Sequence, residues 1–94
     1  MMSESTQKDI ETAARILREA GATEVFVFGS AAHGEMRPES DLDIAVRGIA
    51  PEQFFHVMST VTFAVSVAID LIDLDERNPF TEYLETKGEL LRVA

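Results

Sequence analysis

The sequence predicts a small α/β (α+β) domain, a mixed sheet of about four strands with helices packed on it. Two observations carry this. Short β-branched and aromatic runs such as "EVFVF" and "LDIAV" alternate with longer stretches of helical apolar periodicity. Glycine, proline and asparagine fall between these stretches, where elements should start and stop. With 94 residues, 46% of them apolar and 27% charged, residues 1–94 read as one globular domain.

Ile10, Ala13, Ala14 and Leu17 recur at i, i+3, i+4 and i+7 and predict a first helix. Thr6 with Asp9 fits a capping pair at its start, and Gly21 fits a stop. Glu24 to Phe28 predicts a first strand, and "SAAHG" after it has room for only a short helical turn. Leu42 to Val46 predicts a second strand. Pro51 opens a helix with Phe54, Phe55, Met58 and Val61 expected on one face. Its end is ambiguous, because Val61, Phe63, Val65, Val67 and Ile69 also alternate with period two. A third strand is expected from roughly Val65 to Leu74. Asn78-Pro79 opens a last helix with Phe80, Tyr83 and Leu84 facing inward. Gly88 ends it, and "ELLRV" predicts a short final strand.

Composition excludes several functions. There is no cysteine, so no disulfide framework and no thiolate metal site. The start "MMSESTQKDIE" lacks a basic segment and an apolar core, so no secretory signal is expected. No apolar run approaches the roughly 20 residues of a membrane helix. The expected setting is cytoplasmic, away from membranes. Seventeen acidic against 8 basic residues give a net charge of −9, which repels nucleic acid. A nucleotide held through metal ions remains compatible with that charge.

The stretch "VFVFGSAAHGEMRPESDLDIAV" holds the candidate chemistry. Gly29 at a strand end lets backbone approach a ligand closely, and Ser30 can cap the turn that follows. Asp41 and Asp43 are two apart, so along a strand they point to one side. Like charges at that spacing repel unless a cation lies between them, and such oxygen ligands suit Mg²⁺. The spacing equally fits two solvated aspartates at a strand end. Asp70, inside "SVAIDLIDLD", is a third candidate, because an unpaired carboxylate within an apolar run is costly. Asp73, three residues on, points to the opposite side; it and Asp75 read as strand-exit and turn residues. If Gly29-Ser30 ends one strand where Asp41 and Asp43 begin the next, those strands run antiparallel. Carboxylates beside a phosphate-binding turn are the parts of a two-metal phosphoryl transfer. His56 and Tyr83 read as surface and packing residues, and the run "DLDER" reads as a solvated turn.

The segment "GSAAHGEMRPESDLDIAV" resembles the signature of the nucleotidyltransferase superfamily that includes DNA polymerase beta. That signature is G-S, a short helix, then S-D-x-D before an apolar strand. Together with the chain length, "IDLIDLD" and the ending "PFTEYLETKGELLRV" resemble the minimal nucleotidyltransferases, antitoxin-type proteins found with HEPN-domain toxins. The resemblance implies the nucleotidyltransferase fold and nucleotide contacts from Gly29, Ser30, His33, Arg37 and Ser40. It implies Asp41, Asp43 and Asp70 as catalytic metal ligands, with two Mg²⁺ ions (Mn²⁺ as a substitute) and ATP as substrate. Asp70 is also the candidate base. His33 stands where family members commonly carry arginine, and Arg37 is a candidate compensating cation. The implied activity is transfer of AMP to a hydroxyl, a tyrosine of a HEPN toxin, within a hetero-oligomer. Two alternatives remain: a non-catalytic antitoxin acting by occlusion, and a small-molecule (antibiotic) nucleotidyltransferase.

Overall fold

The computed structural model describes residues 4–34, 40–88 and 90–94. Helix α1 (Glu4–Glu19) leads into strand β1 (Glu24–Phe28) and a 3-10 turn (Gly29–Ala31). Strand β2 (Leu42–Arg47), helix α2 (Pro51–Ala64), strand β3 (Ile69–Asp73), helix α3 (Pro79–Thr86) and strand β4 (Leu91–Arg92) follow. The sheet order is β3-β2-β1-β4. β1 is antiparallel to both β2 and β4, while β2 and β3 are parallel, with α2 as the crossover between them. The mixed four-stranded sheet matches the expected fold class.

Strand parity sorts the side chains. Val25 and Val27 of β1, Leu42, Ile44 and Val46 of β2 and Leu71 of β3 share one core with α1 and α2. From α1 that core takes Ile10, Ala13, Ala14 and Leu17, the expected stripe. The opposite sheet face carries Phe28 and Ala45, which pack with Leu74 and with Leu84 of α3. Among the described residues, the eight-residue α3 is all the helix that this second face receives. That asymmetry leaves room for a site.

Several elements depart from expectation. Thr6 and Asp9 lie inside α1 rather than at its cap. Asp9 is buried, and its carboxylate accepts from the backbone N–H (3.2 Å) and hydroxyl (2.5 Å) of Ser66. Two donors compensate the buried charge and tie α1 to the segment after α2. The third strand begins at Ile69, not Val65, because α2 continues to Ala64 and residues 65–67 bend. The period-two pattern there is a coincidence of helix and loop: Val61 is buried, while Phe63 is 88% exposed. On α2 the buried residues are Val57 and Val61, and Phe55 turns outward at 76% exposure. Adjacent helical positions point about 100° apart, so Phe54 and Phe55 cannot share one face. On α3 only Leu84 of the three expected inward residues is buried; Phe80 and Tyr83 are half-exposed. Thr81 takes the second buried position instead.

The start of α3 follows its expected chemistry. The Asn78 side chain accepts from the Thr81 N–H at 3.0 Å, and the Thr81 hydroxyl accepts from the Asn78 N–H at 3.1 Å. The same hydroxyl lies 2.7 Å from the Glu76 carbonyl. This reciprocal box fixes where the chain leaves β3 and enters α3. Gly88 closes the helix: a Cβ there would lie 2.7 Å from the Leu84 Cα. Past it, among the described residues, Leu91–Arg92 is what forms of the expected final strand, whose first position, Glu89, lies outside them.

Thr81→Val keeps the volume but removes the hydroxyl from this buried box. It is expected to cost about 1–2 kcal/mol, read as a fall of roughly 5–15 °C in the midpoint of thermal unfolding followed by circular dichroism.

Candidate active site

β1 ends where β2 begins, so the turn and the aspartates meet. Phe28 is the register partner of Asp43 in the antiparallel pair. Gly29 then takes a positive φ of +64°, which turns the chain out of the sheet. A Cβ at Gly29 would overlap Oδ2 of Asp43. Glycine is therefore required twice, by the backbone conformation and by the carboxylate lodged against it. Ser30 is half-buried, Ala31 is buried, and His33 lies exposed just beyond the 3-10 turn. Arg37 falls outside the described residues. Ser40 and Asp41 lead directly into β2.

The carboxylates come from three places. Asp41 is exposed just ahead of β2, and Asp43 is half-buried one residue inside it. Asp43 is paired in register with Asp70 on the parallel strand β3. Register partners on adjacent strands point to the same face, and Asp41 shares the parity of Asp43. That face is the one α3 only partly covers. Asp70 is exposed rather than buried, contrary to the expectation from its apolar neighbours, because on the edge strand β3 it points to the sparsely covered face while its neighbour Leu71 points into the core. Asp73 pairs with Val46 instead, on the opposite parity. Its carboxylate accepts from the Asp75 N–H at 2.9 Å, within its own turn.

The electrostatics follow from this crowding. Burial pushes the Asp43 carboxyl above its ordinary pKa, and the charges of Asp70 and then Asp41 push it further. Among the described residues, no three metal-type side chains gather closely enough to enclose an ion. The donor set nevertheless suits a hard cation: carboxylate oxygens on one face, mutually repelling, with Asp43 seated in a cradle that only glycine leaves open. Asp41, Asp43 and Asp70 are the candidates for such a role, and their carboxylates would have to draw closer around an ion than they stand here.

Sequence reasoning assigned Phe80 and Tyr83 to packing and passed over Lys87. The structure brings all three to the edge of the site, around a cavity shared with Gly29 and His33. Their spacing of three and then four residues was a legible sign of one helical stripe.

The contact between Gly29 and Asp43 predicts a coupling. Gly29→Ala should cost more than about 1 kcal/mol from the positive φ alone, with a further loss from the clash. Asp43→Ala in the same chain should recover the clash but not the φ cost. Additive effects in a double-mutant cycle of urea denaturation would show that the two residues do not touch.

Comparison with known proteins gives the family. A solved structure described as a putative minimal nucleotidyltransferase is 25% identical, superposes with a TM-score of 0.73, and is covered over 94% of each chain. A chain of a toxin–antitoxin crystal structure with AMP-PNP is 22% identical, with a TM-score of 0.69 over 85% of this chain and 69% of that one. A chain of the tri-AMPylated Shewanella oneidensis HEPN toxin in complex with MNT antitoxin is 20% identical, with a TM-score of 0.64 over 89% and 69%. These last two likenesses establish the fold. A comparison with curated proteins finds no significant match. The family model "Polymerase beta, Nucleotidyltransferase" matches residues 11–92, a span that takes in the Gly29 turn, both parallel strands and all three aspartates. The chain therefore belongs to the polymerase beta nucleotidyltransferase family.

Proposed function

We propose that this protein transfers AMP from ATP to a hydroxyl group on a HEPN-type toxin, a tyrosine hydroxyl, and so acts as an antitoxin. The observation that carries the reading is the register of Asp43 beside Asp70, with Asp41 on the same parity and the Gly29-Ser30 turn alongside. The resemblance to an MNT antitoxin in complex with an AMPylated HEPN toxin supports the choice of partner and of transferred group. The likeness to a toxin–antitoxin structure with AMP-PNP supports an adenine nucleotide.

The residues divide the work as follows. Gly29 and Ser30 present backbone N–H groups and a hydroxyl to the phosphates, with His33 and Ser40 at the margins. Asp41, Asp43 and Asp70 hold Mg²⁺, which when bound offsets their mutual repulsion and withdraws charge from the phosphates. The acceptor oxygen attacks the α-phosphorus, and a new O–P bond forms as the bond to the β-phosphate oxygen breaks. Pyrophosphate leaves. Asp70, exposed at the sheet edge, takes the proton of the incoming hydroxyl. The open sheet face gives the partner's hydroxyl a direct approach.

The test is intact-mass spectrometry of the toxin after incubation with ATP, Mg²⁺ and a catalytic amount of this protein. The expected result is addition of adenylyl groups to an excess of toxin, lost by at least about 100-fold in rate for Asp70→Asn and retained for Asp73→Asn. Suppressed toxicity without added mass, needing one molecule of this protein per toxin, would instead establish neutralisation by occlusion.

Mg²⁺ at millimolar concentration should raise the melting temperature of the wild type, since it binds only the folded arrangement. Asp43→Asn should raise the melting temperature without metal, because it removes a repelled charge, and should blunt the response to Mg²⁺. A wild-type midpoint that does not move with metal would count against Asp41, Asp43 and Asp70 as ligands.

A further inference from the structure

A cavity of about 300 Å³ lies between α3 and the Gly29 turn. Gly29 and His33 form one wall, and Phe80, Tyr83 and Lys87 form the other. Phe28 is part of its lining, and Phe80 already packs edge-on against that ring, with centroids 6.3 Å apart. Two features set this place apart from an ordinary surface dent. Phe80 and Tyr83 are 48% and 55% exposed, so apolar rings stand in water beside the Gly29 turn. The charge is also unusual for so acidic a chain. Arg15, Arg47, Arg77 and Arg92 are each paired with glutamates, whereas Lys87 lines the cavity. Rings and an ammonium next to a Gly-Ser turn match a ligand that has an aromatic base at one end and phosphates at the other.

We propose that this cavity is the seat of a purine nucleotide, with the base stacked against Tyr83 and Phe80 and the Lys87 ammonium directed to a phosphate oxygen. The proposal rests on the nucleotidyl-transfer reading and adds to it the residues that grip the nucleotide. A purine presents more ring area to the two aromatics than a pyrimidine, so the pocket favours ATP over CTP. The triphosphate then runs past Gly29 and His33 toward Asp43, whose carboxylate abuts Gly29.

The experiment is isothermal titration of the full 94-residue chain with ATP and with CTP in the presence of Mg²⁺. Variants Tyr83→Ala, Tyr83→Phe and Lys87→Ala are titrated alongside, with circular dichroism to confirm that each is folded. ATP is expected to bind more tightly than CTP. Tyr83→Ala is expected to weaken ATP by about tenfold or more, and Tyr83→Phe to bind like the wild type, because the ring persists. Lys87→Ala is expected to weaken both nucleotides and to reduce the dependence of affinity on salt. If the wild type binds ATP and the alanine variants bind it equally well, the cavity assignment is overturned while the nucleotidyl-transfer reading stands. If Tyr83→Ala keeps ATP but loses association with the toxin, the aromatics belong to a protein interface and the assignment is overturned. If the wild type binds neither nucleotide, both this inference and the reading beneath it fail.

Discussion

The parallel pairing of β2 with β3, in the register that sets Asp43 beside Asp70, is the constraint on which the rest of this molecule depends. It puts two like charges on neighbouring strands, an arrangement that a fold selected only for stability would avoid. The cause lies on the other face of the sheet. Leu42, Ile44, Val46 and Leu71 are drawn into the core under α1 and α2. With side chains alternating at period two, the residues between them must point away. Burial of one face therefore drives the carboxylates together on the other. A slip of one residue in β3 would bury Asp70 and expose Leu71, so the hydrophobic core itself guards the acidic register.

Helix α3 is positioned by three different forces. Leu84 anchors it to the sheet, Thr81 and Asn78 fix its first turn, and Glu85 ties its last turn down electrostatically. The Glu85 carboxylate accepts from Arg77 at 2.8 Å and from Arg47 at 2.7 Å. The bond from Arg77 and then the one from Arg47 hold its carboxyl below the usual carboxylate range. Arg47 also reaches Glu24 at 3.3 Å, so α3 is linked to the ends of both central strands. The helix is thus fixed on its polar flank and left open on its aromatic one.

Most of the strand and helix order was legible, because each element carries its own period and its own stop signal. The antiparallel meeting of Gly29 with Asp43 followed from placing both in one site, and strand parity separates Asp70 from Asp73. Depth in the apolar run favours Asp70, whereas the structure sets it beside Asp43 by register and leaves it exposed. What could not be read was side-chain exposure near element ends. Phe80 and Tyr83 are apolar enough to suggest burial, yet among the described residues the sheet's second face is covered by one short helix, and Phe55 turns outward on α2 because its neighbour Phe54 takes the inward side. The boundary of β3 was obscured because Val61, Phe63, Val65 and Val67 fit two periods at once. Asp9 reads locally as a cap, and only the tertiary approach of Ser66 reveals its use. The exposure of Asp70 depends on β3 lying at the sheet edge and on the sparse cover of the face it points to, properties of topology that no local pattern encodes.

The pairing of β4 with β1 has a kinetic consequence. Leu91 and Arg92 align with Val27 and Phe26, and Val93 donates to the Val25 carbonyl. These partners lie more than sixty positions apart along the chain, so their union requires a long loop to close. Until it does, the outer edge of β1 presents unpaired backbone N–H and C=O groups beside valine and phenylalanine side chains. β1 is also the strand that aligns the Gly29 turn with Asp43. A nascent or partly unfolded chain therefore exposes its stickiest edge at the strand on which its candidate site is built, and a two-residue strand with one arginine is what closes it.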